Sequence, residues 1–476
     1  MKFGVLILLL GNFWAKSGFA DDQEAMCIAR AATIELKLSC LQGVAFNEII
    51  DAENVPPGSR RFDLSIEQPI DHFDLSRGTF RQRLVLLFRG DTEPLVLQTS
   101  GYMIFGVRET LIAKTFGTNQ LQVEHRFFGE SIPTALDWRD LNIRQSAEDF
   151  HRITVAFRQI FSGRWVNTGS SKGGMTSIYH RRFYPDDLDG TVADVAPLSF
   201  SRADARYITF LESVGGPEYA DCRGHWQELQ RSLLAGREQL VPQLVPGNFS
   251  TLGGPDVAFE HAVIESSFFF WQYAHPDDPD VGCDKIPVGG TLDEQFAYFK
   301  AINDPADYAD EEVTAFAPYS YQAATQLGSP GLSTSHIEPL RKYEFTISQY
   351  APVGVDLSYS NSSMHDVDQW VRTASSNVIF IYGEFDPWSA GAFDGGRVTA
   401  DNFRFFVKGG NHGSKFSALA EAERAVVLER LAVWLNKTPI HTEIASRSRR
   451  IYQSGSGQTL EDLEFTVMKQ RRHKIL

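Results

Sequence analysis

The chain reads as an α/β protein: a mainly parallel sheet with helices on both faces, interrupted once by a long helical insertion. Three observations lead there. Strand-like and helix-like segments alternate from about Arg81 to Phe200, as they do when a chain winds a parallel sheet. The alternation then stops for aromatic, helical text between Ser201 and Trp370. It resumes at Asn377 with two strand patterns and a closing helix. The length of 476 residues accommodates a large core plus an inserted unit. Hydrophobic residues make up 43% and charged residues 22%, the balance of a globular chain. The formal net charge of -15 repels phosphate backbones and argues against a nucleic-acid partner.

Each element follows in order. Lys2, the apolar run Phe3 to Leu10, and the small residues Gly18 and Ala20 read as an export signal cleaved after Ala20. The run is too short for a bilayer-spanning anchor. Asp21 to Pro57 reads as a helix-rich extension. "RQRLVLLF" (Arg81 to Phe88), "PLVLQTSGY" (Pro94 to Tyr102) and "NQLQVEHRFFGES" (Asn119 to Ser131) are strands, the last running into a loop. "SAEDFHRITVAFRQIF" (Ser146 to Phe161) has helical spacing, "RWVNTGSS" is a strand, "GGMTSIYHRRFY" a helix, and "DGTVADVAPLSF" (Asp189 to Phe200) a strand again. "NVIFIYGEFDPW" (Asn377 to Trp388) and "NFRFFVKGGNHGSKF" (Asn402 to Phe416) begin as strands, and "SALAEAERAVVLERLAVWL" (Ser417 to Leu435) closes the fold as a helix. The expected organisation is a signal over residues 1–20, core over 21–200, a helical cap over 201–370, core again over 371–436, and a polar tail over 437–476.

Four cysteines, Cys27, Cys40, Cys222 and Cys283, suit two disulfides in an exported chain. Four cysteines allow three connectivities; local pairing, Cys27 with Cys40 and Cys222 with Cys283, is the favoured one. None has CxxC spacing, and no metal or cofactor is called for.

The chemistry centres on "TGSSKGG". Gly169-Ser170-Ser171-Lys172-Gly173 matches G-x-S-x-G, the strained strand-to-helix turn that exposes a serine hydroxyl for attack, with Ser171 central. About 0.2 matches are expected by chance in a chain this long. The strand before it and the helix after it supply the context the motif requires. A serine needs a histidine base held by a carboxylate, and in this arrangement the chain order is serine, acid, histidine. Asp386 follows the strand "VIFIYG", and His412 follows the next strand, in "KGGNHGSKF". Asp394 and Glu384 are the alternative acids. His275, His336 and His365 precede Asp386 and fit the order less well. The oxyanion donors expected are the backbone N–H of Lys172 and one from the turn at Gly101 or Tyr102. The side chain of Lys172 is expected at the surface or in a salt bridge.

"NTGSSKGGMTSIYHRRFYPDDLDGTVADVAP" resembles the secreted bacterial prolyl tripeptidyl aminopeptidases, as do "VEHRFFGES", "DVDQWV", "YGEFDPWSAGAF" and "GGNHGSKF". "QPIDHFDLSRGTFRQRL" is similar to the opening of the related prolyl carboxypeptidase and dipeptidyl peptidase II group. The resemblance covers about Arg61 to Leu435. It implies an α/β-hydrolase core with a helical cap, nucleophile Ser171, acid Asp386 and base His412. It also implies release of short peptides, three residues expected, from free N-termini, often after proline.

A capped site admits a chain end, and a buried α-ammonium requires a carboxylate. Glu124 in "VEHRFFGES" and Glu212 in "ITFLESV" are the candidates, with Glu124 alternatively paired to Arg126 or another buried arginine. Aromatics of the cap such as Phe268 to Trp271 are candidates for packing on a proline ring, with most of them in the core. The expected partners are therefore peptides with a free N-terminus, met outside the cell or in the periplasm. The alternatives are a dipeptidyl peptidase, a prolyl carboxypeptidase-like enzyme, an esterase or lipase on the same scaffold, and a non-catalytic binding protein.

Overall fold

The computed structural model describes residues 17–50, 55–244, 247–395 and 400–440, with the side chains of 17–22 left aside. The apolar run at the N-terminus and the tail beyond residue 440 lie outside the described residues. The first described helix, α1 (Ser17–Arg30), runs through Ala20, the expected cleavage point.

Nine strands form one sheet: β1 (Val44–Ile49), β2 (Arg60–Pro69), β3 (Thr79–Phe88), β4 (Leu95–Thr99), β5 (Asn119–Val123), β6 (Trp165–Ser170), β7 (Gly190–Asp194), β8 (Val378–Gly383) and β9 (Asn402–Val407). Their spatial order is β1-β2-β3-β5-β4-β6-β7-β8-β9. The first three pairings are antiparallel and all pairings from β5 to β9 are parallel. This is an α/β-hydrolase sheet. The N-terminal extension departs from the expectation of helix alone. It supplies α1 and α2 (Ile34–Cys40), but also β1 and the start of β2. In β2 the alternation is clear: Phe62, Leu64 and Ile66 are buried while the residues between them are more exposed.

Alternate residues of the central strands feed two helical layers. Val96, Val166, Val192, Ile379 and Ile381 pack against α3 (Leu111–Phe116) and the closing helix. Ala193, Val378, Phe380 and Tyr382 face the opposite way, against α5 (Lys172–Phe183). Leu95 and Leu97 pack with α4 (Ile143–Arg158). The parallel strands are thus buried on both faces, which is why they read as near-continuous apolar runs.

Between β7 and β8 the chain leaves the sheet to build the cap. Its main helices are α6 (Ala205–Ser213), α7 (Ala220–Ala235), α8 (Pro255–Tyr273), α9 (Leu292–Ile302) and α10 (Asp310–Gln322). They enclose a hydrophobic core of their own, with Trp226, Phe259, Phe270, Trp271 and Phe299 at its centre. Before β8, α11 (Ser362–Thr373) returns to the sheet through Met364, Val367 and Val371. The last helix, α12 (Glu421–Leu435), covers the other face. No helix among the described residues is long and apolar enough to cross a membrane.

Both expected disulfides are present. Cys27–Cys40 joins α1 to α2 across 13 residues, and Cys222–Cys283 ties α7 to the loop after α8 across 61. In the chain-entropy picture the longer loop contributes about 4 kcal/mol and the shorter about 3 kcal/mol. Replacing Cys222 and Cys283 together by serine is therefore expected to lower the denaturation midpoint more than replacing Cys27 and Cys40. Equal midpoints for the two double variants in a denaturant titration contradict that ranking.

Candidate active site

Ser171 lies between the end of β6 and the first residue of α5, with φ 55° and ψ −125°. A non-glycine residue there carries strain of the order of 1–3 kcal/mol, held in place by its surroundings. Its N–H donates to the carbonyl of Asp194 on β7 at 2.9 Å, and its own carbonyl accepts from Met175 at 3.0 Å. The glycines on either side are obligatory. A Cβ on Gly169 would stand 2.4 Å from the backbone of Gly173, and one on Gly173 would stand 2.5 Å from the carbonyl oxygen of Thr99.

Asp386 is fully buried just past β8. Its Oδ1 accepts the N–H of Trp388 at 3.1 Å, and its Oδ2 lies 2.7 Å from Nδ1 of His412. A carboxylate only accepts, so Nδ1 carries the proton and Nε2 is left to take one. His412 sits in the loop after β9, and its backbone N–H donates to the carbonyl of Gln272 on α8 at 2.9 Å. The cap thus holds the histidine loop directly. The imidazole also meets the rings of Tyr273 and Trp388, with centroids 6.1 and 6.2 Å away. Of the alternative acids, Asp394 pairs with Arg372 and Glu384 accepts the N–H of Gly409.

Ser171 and His412 open into one cavity of about 1730 Å³. Its walls come from the turns at the ends of the strands on one side and from the cap, including Phe268, Phe316 and Tyr319, on the other. Gly101 and Tyr102 form part of the wall beside the serine. The turn after β4 touches the elbow: a Cβ on Gly101 would stand 2.6 Å from the nitrogen of Gly173. The N–H of Lys172 belongs to the first turn of α5, where helical N–H groups lack helical partners.

Three expectations are corrected. The side chain of Lys172 is neither at the surface nor in a salt bridge. It is buried, donates from Nζ to the carbonyl of Gly101 at 2.6 Å, and lies over the rings of Tyr102 and Phe128. Burial pushes its pKa well below the ordinary lysine value. His125 beside it is likewise held well below the usual histidine value, first by burial and then by the charge of Lys172.

Glu124 does not face the cavity. Its carboxylate accepts the N–H of Ile104 at 2.9 Å, the N–H of Glu130 at 2.7 Å and the hydroxyl of Ser131 at 2.9 Å. It stitches the loops after β4 and β5, and Gly129 has no room for a Cβ because Glu124 Oε2 occupies it. Nor does it pair with Arg126, which is bidentate to Asp149 at 2.6 and 2.7 Å. Glu212 is exposed on α6 and stands outside the cavity wall.

Of the aromatics from 268 to 271, Phe268 and Phe269 line the cavity, whereas Phe270 and Trp271 fill the core of the cap. Sequence reasoning missed the carboxylates that do line it, Glu109, Asp194, Glu265, Asp307, Glu311 and Glu312. It also missed Lys415, whose Nζ meets Ser170 Oγ and lies 3.2 Å from Asp194 Oδ2, tying the histidine loop to the elbow. The one available signal was the spacing of Glu265 with Phe268, Phe269, Gln272 and Tyr273, a stripe along one face of a helix.

Known proteins resemble this chain over most of its length. Residues 29–456 match the family model described as PS-10 peptidase S37. The prolyl tri/tetrapeptidyl aminopeptidase of Streptomyces mobaraensis is 34% identical over 446 residues, which cover 91% of each chain. The lysosomal Pro-X carboxypeptidase of Bos taurus is 24% identical over 71% of this chain and 78% of its own. The solved proline iminopeptidase of Mycobacterium smegmatis matches 78% of this chain and 98% of that one, at 15% identity and a TM-score of 0.36. A strained serine elbow on an α/β-hydrolase sheet and a family match spanning most of the length lead to one conclusion: the chain belongs to peptidase family S37 and is a serine peptidase.

Proposed function

We propose that the enzyme is a secreted exopeptidase that releases tripeptides from free N-termini, with proline preferred at the residue before the cut. The observation that carries this reading is the buried Asp386–His412 pair opening, together with Ser171, into a cavity walled by the cap. Such a site takes a flexible chain end more readily than a folded loop. The name of the Streptomyces mobaraensis relative supports the choice of an aminopeptidase over a carboxypeptidase or an esterase. Phe268 and Trp388, 5.2 Å apart by ring centroids and beside His412, offer an apolar wall suited to a proline ring. The two disulfides support export.

In the mechanism, Ser171 Oγ attacks the scissile carbonyl carbon while Nε2 of His412 takes the hydroxyl proton. Asp386 holds the tautomer and stabilises the imidazolium that forms. The developing oxyanion receives the N–H of Lys172 and a second N–H from Gly101 or Tyr102. Collapse breaks the C–N bond, and His412 returns its proton to the leaving amine. Water, deprotonated by the same nitrogen, then attacks the acyl-enzyme and frees the N-terminal fragment with regeneration of Ser171.

Ser171→Ala is expected to lower kcat by roughly five to six orders of magnitude while the fold is kept, since only the attacking hydroxyl is lost. Ser170→Ala, which loses only its contact with Lys415, should stay within about tenfold of the wild type. Equal losses in the two variants contradict the assignment of the nucleophile. Steady-state kinetics of Asp386→Ala, His412→Ala and the double variant should show the double costing little more than the worse single, because the residues act as one unit. Multiplicative losses argue against a shared proton path. Finally, a peptide with a free N-terminus should be cleaved at least about a hundredfold faster than its acetylated twin. Equal turnover moves the protein to the endopeptidase or esterase reading.

A further inference from the structure

The cavity extends well beyond Ser171 and His412, and its wall carries both acidic and basic side chains. Among its carboxylates, Glu265 has a distinctive position. It lies on α8, the same helix whose Gln272 carbonyl holds the backbone of His412 and whose Tyr273 packs on the imidazole. Glu265, Phe268, Phe269, Gln272 and Tyr273 all line the cavity, so one face of α8 runs along it from the histidine to the carboxylate. Tyr308, itself buried, donates its hydroxyl to Glu265 Oε2 and accepts from Asn303 Nδ2 at 2.9 Å. Tyr319 and Tyr350 line the same part of the wall. A carboxylate oriented by a buried hydroxyl among aromatic rings is a setting suited to an ammonium ion.

We infer that Glu265 receives the α-ammonium group of the substrate and that its spacing from His412 along α8 sets the released fragment at three residues. This rests on the exopeptidase reading above and gives it a ruler. Glu265 stands two turns before Gln272, a displacement of about 10 Å along the helix axis. An extended chain advances about 3.3 Å per residue, so two residues cover about 7 Å, three about 10 Å and four about 13 Å. The side chain of Glu265 leans towards the start of the helix, which lengthens the span by a few ångströms. The ammonium–carboxylate contact of about 3 Å takes up that difference. A two-residue fragment leaves the amine short of the carboxylate. Of the other acidic groups of the wall, Asp307, Glu311 and Glu312 sit on α10 or the turn before it rather than on the helix that holds the histidine, Glu109 pairs with Arg89 at 2.8 Å, and Asp194 lies 3.2 Å from Lys415 Nζ.

The test is a ladder of p-nitroanilides ending in proline, with two, three or four residues, each with a free or acetylated N-terminus, read as kcat/KM. The wild type should prefer the free three-residue compound and lose about a hundredfold or more on acetylation. Glu265→Gln should reduce that acetylation penalty to about threefold or less and flatten the length preference. Its turnover of the acetylated three-residue compound should stay within about threefold of the wild type, which reports an intact triad. If the wild type discriminates against acetylation and Glu265→Gln does so equally, the assignment of Glu265 is overturned while the exopeptidase reading stands. If the wild type itself ignores acetylation, both fall. Glu265→Asp provides the second arm. It keeps the charge but withdraws it by one methylene towards the histidine end of α8, so the preference for free amines should persist and shift towards the two-residue compound. An unchanged length ratio in that variant overturns the ruler.

Discussion

The backbone of Ser171, forced to positive φ between two glycines, is the constraint around which the remainder of the core is arranged. The turn brings the chain from β6 into α5 so tightly that neighbouring backbone occupies the space where side chains would stand. Thr99 fastens the same point from β4: its hydroxyl donates to the carbonyl of Gly173 at 2.8 Å and lies 2.6 Å from Ser177 Oγ. Lys172 then draws Gly101 in from the other side. Strain at one residue is offset by contacts from β4, β7 and α5 together, so the hydroxyl cannot relax without loosening all three. The placement of the Ser171 hydroxyl and the packing of the core are the same set of contacts.

Buried charge has two distinct uses in this molecule. Beneath the loop after β5, Arg126 is wholly enclosed and spends its donors on Asp149 and on the carbonyls of Pro69, Ile70 and Asp140. His72 completes the group, 2.7 Å from Asp149. Together with Glu124 these residues replace the backbone pairing that an irregular segment lacks, and they fix the loops that frame the elbow. Asp386 is buried just as deeply but has a partner that opens into the cavity. Depth alone therefore does not separate scaffold from chemistry; the surroundings of the partner do.

That distinction explains what was legible in the sequence. The strained turn at Ser171 and the pairing of Asp386 with His412 could be read because each residue sits where a strand ends, and strand ends are marked by apolar runs and glycines. The parallel core strands and the cap as an interruption were legible for the same reason. β1 and β2 were not: β1 is an edge strand with weak alternation, and the pattern of β2 lies inside text rich in charges. Glu124 and Lys172 misled because their neighbours in sequence say nothing about the direction of their side chains. Glu124 turns back to three donors supplied by loops, and the amine of Lys172 turns inwards to a carbonyl 71 residues earlier in the chain. Glu265 was obscured in turn by the aromatic run that follows it. Only the packing of α8 shows which residues face the cavity.

The position of the cap between β7 and β8 also bears on how the chain reaches its native state. Thr191 pairs with Val378, so the central sheet cannot be completed until the whole insertion has been spanned. A disordered loop of that length must lose considerable freedom before the contact forms, and such non-local pairings slow folding. The cap has its own apolar core and its own disulfide, both made within it. Once collapsed, it presents its two ends close together, and β8 arrives beside β7 as though after a short connection. The order of events written into the topology is cap before sheet. Ser171, already placed by β6 and α5, waits for β8 and β9 to deliver Asp386 and His412.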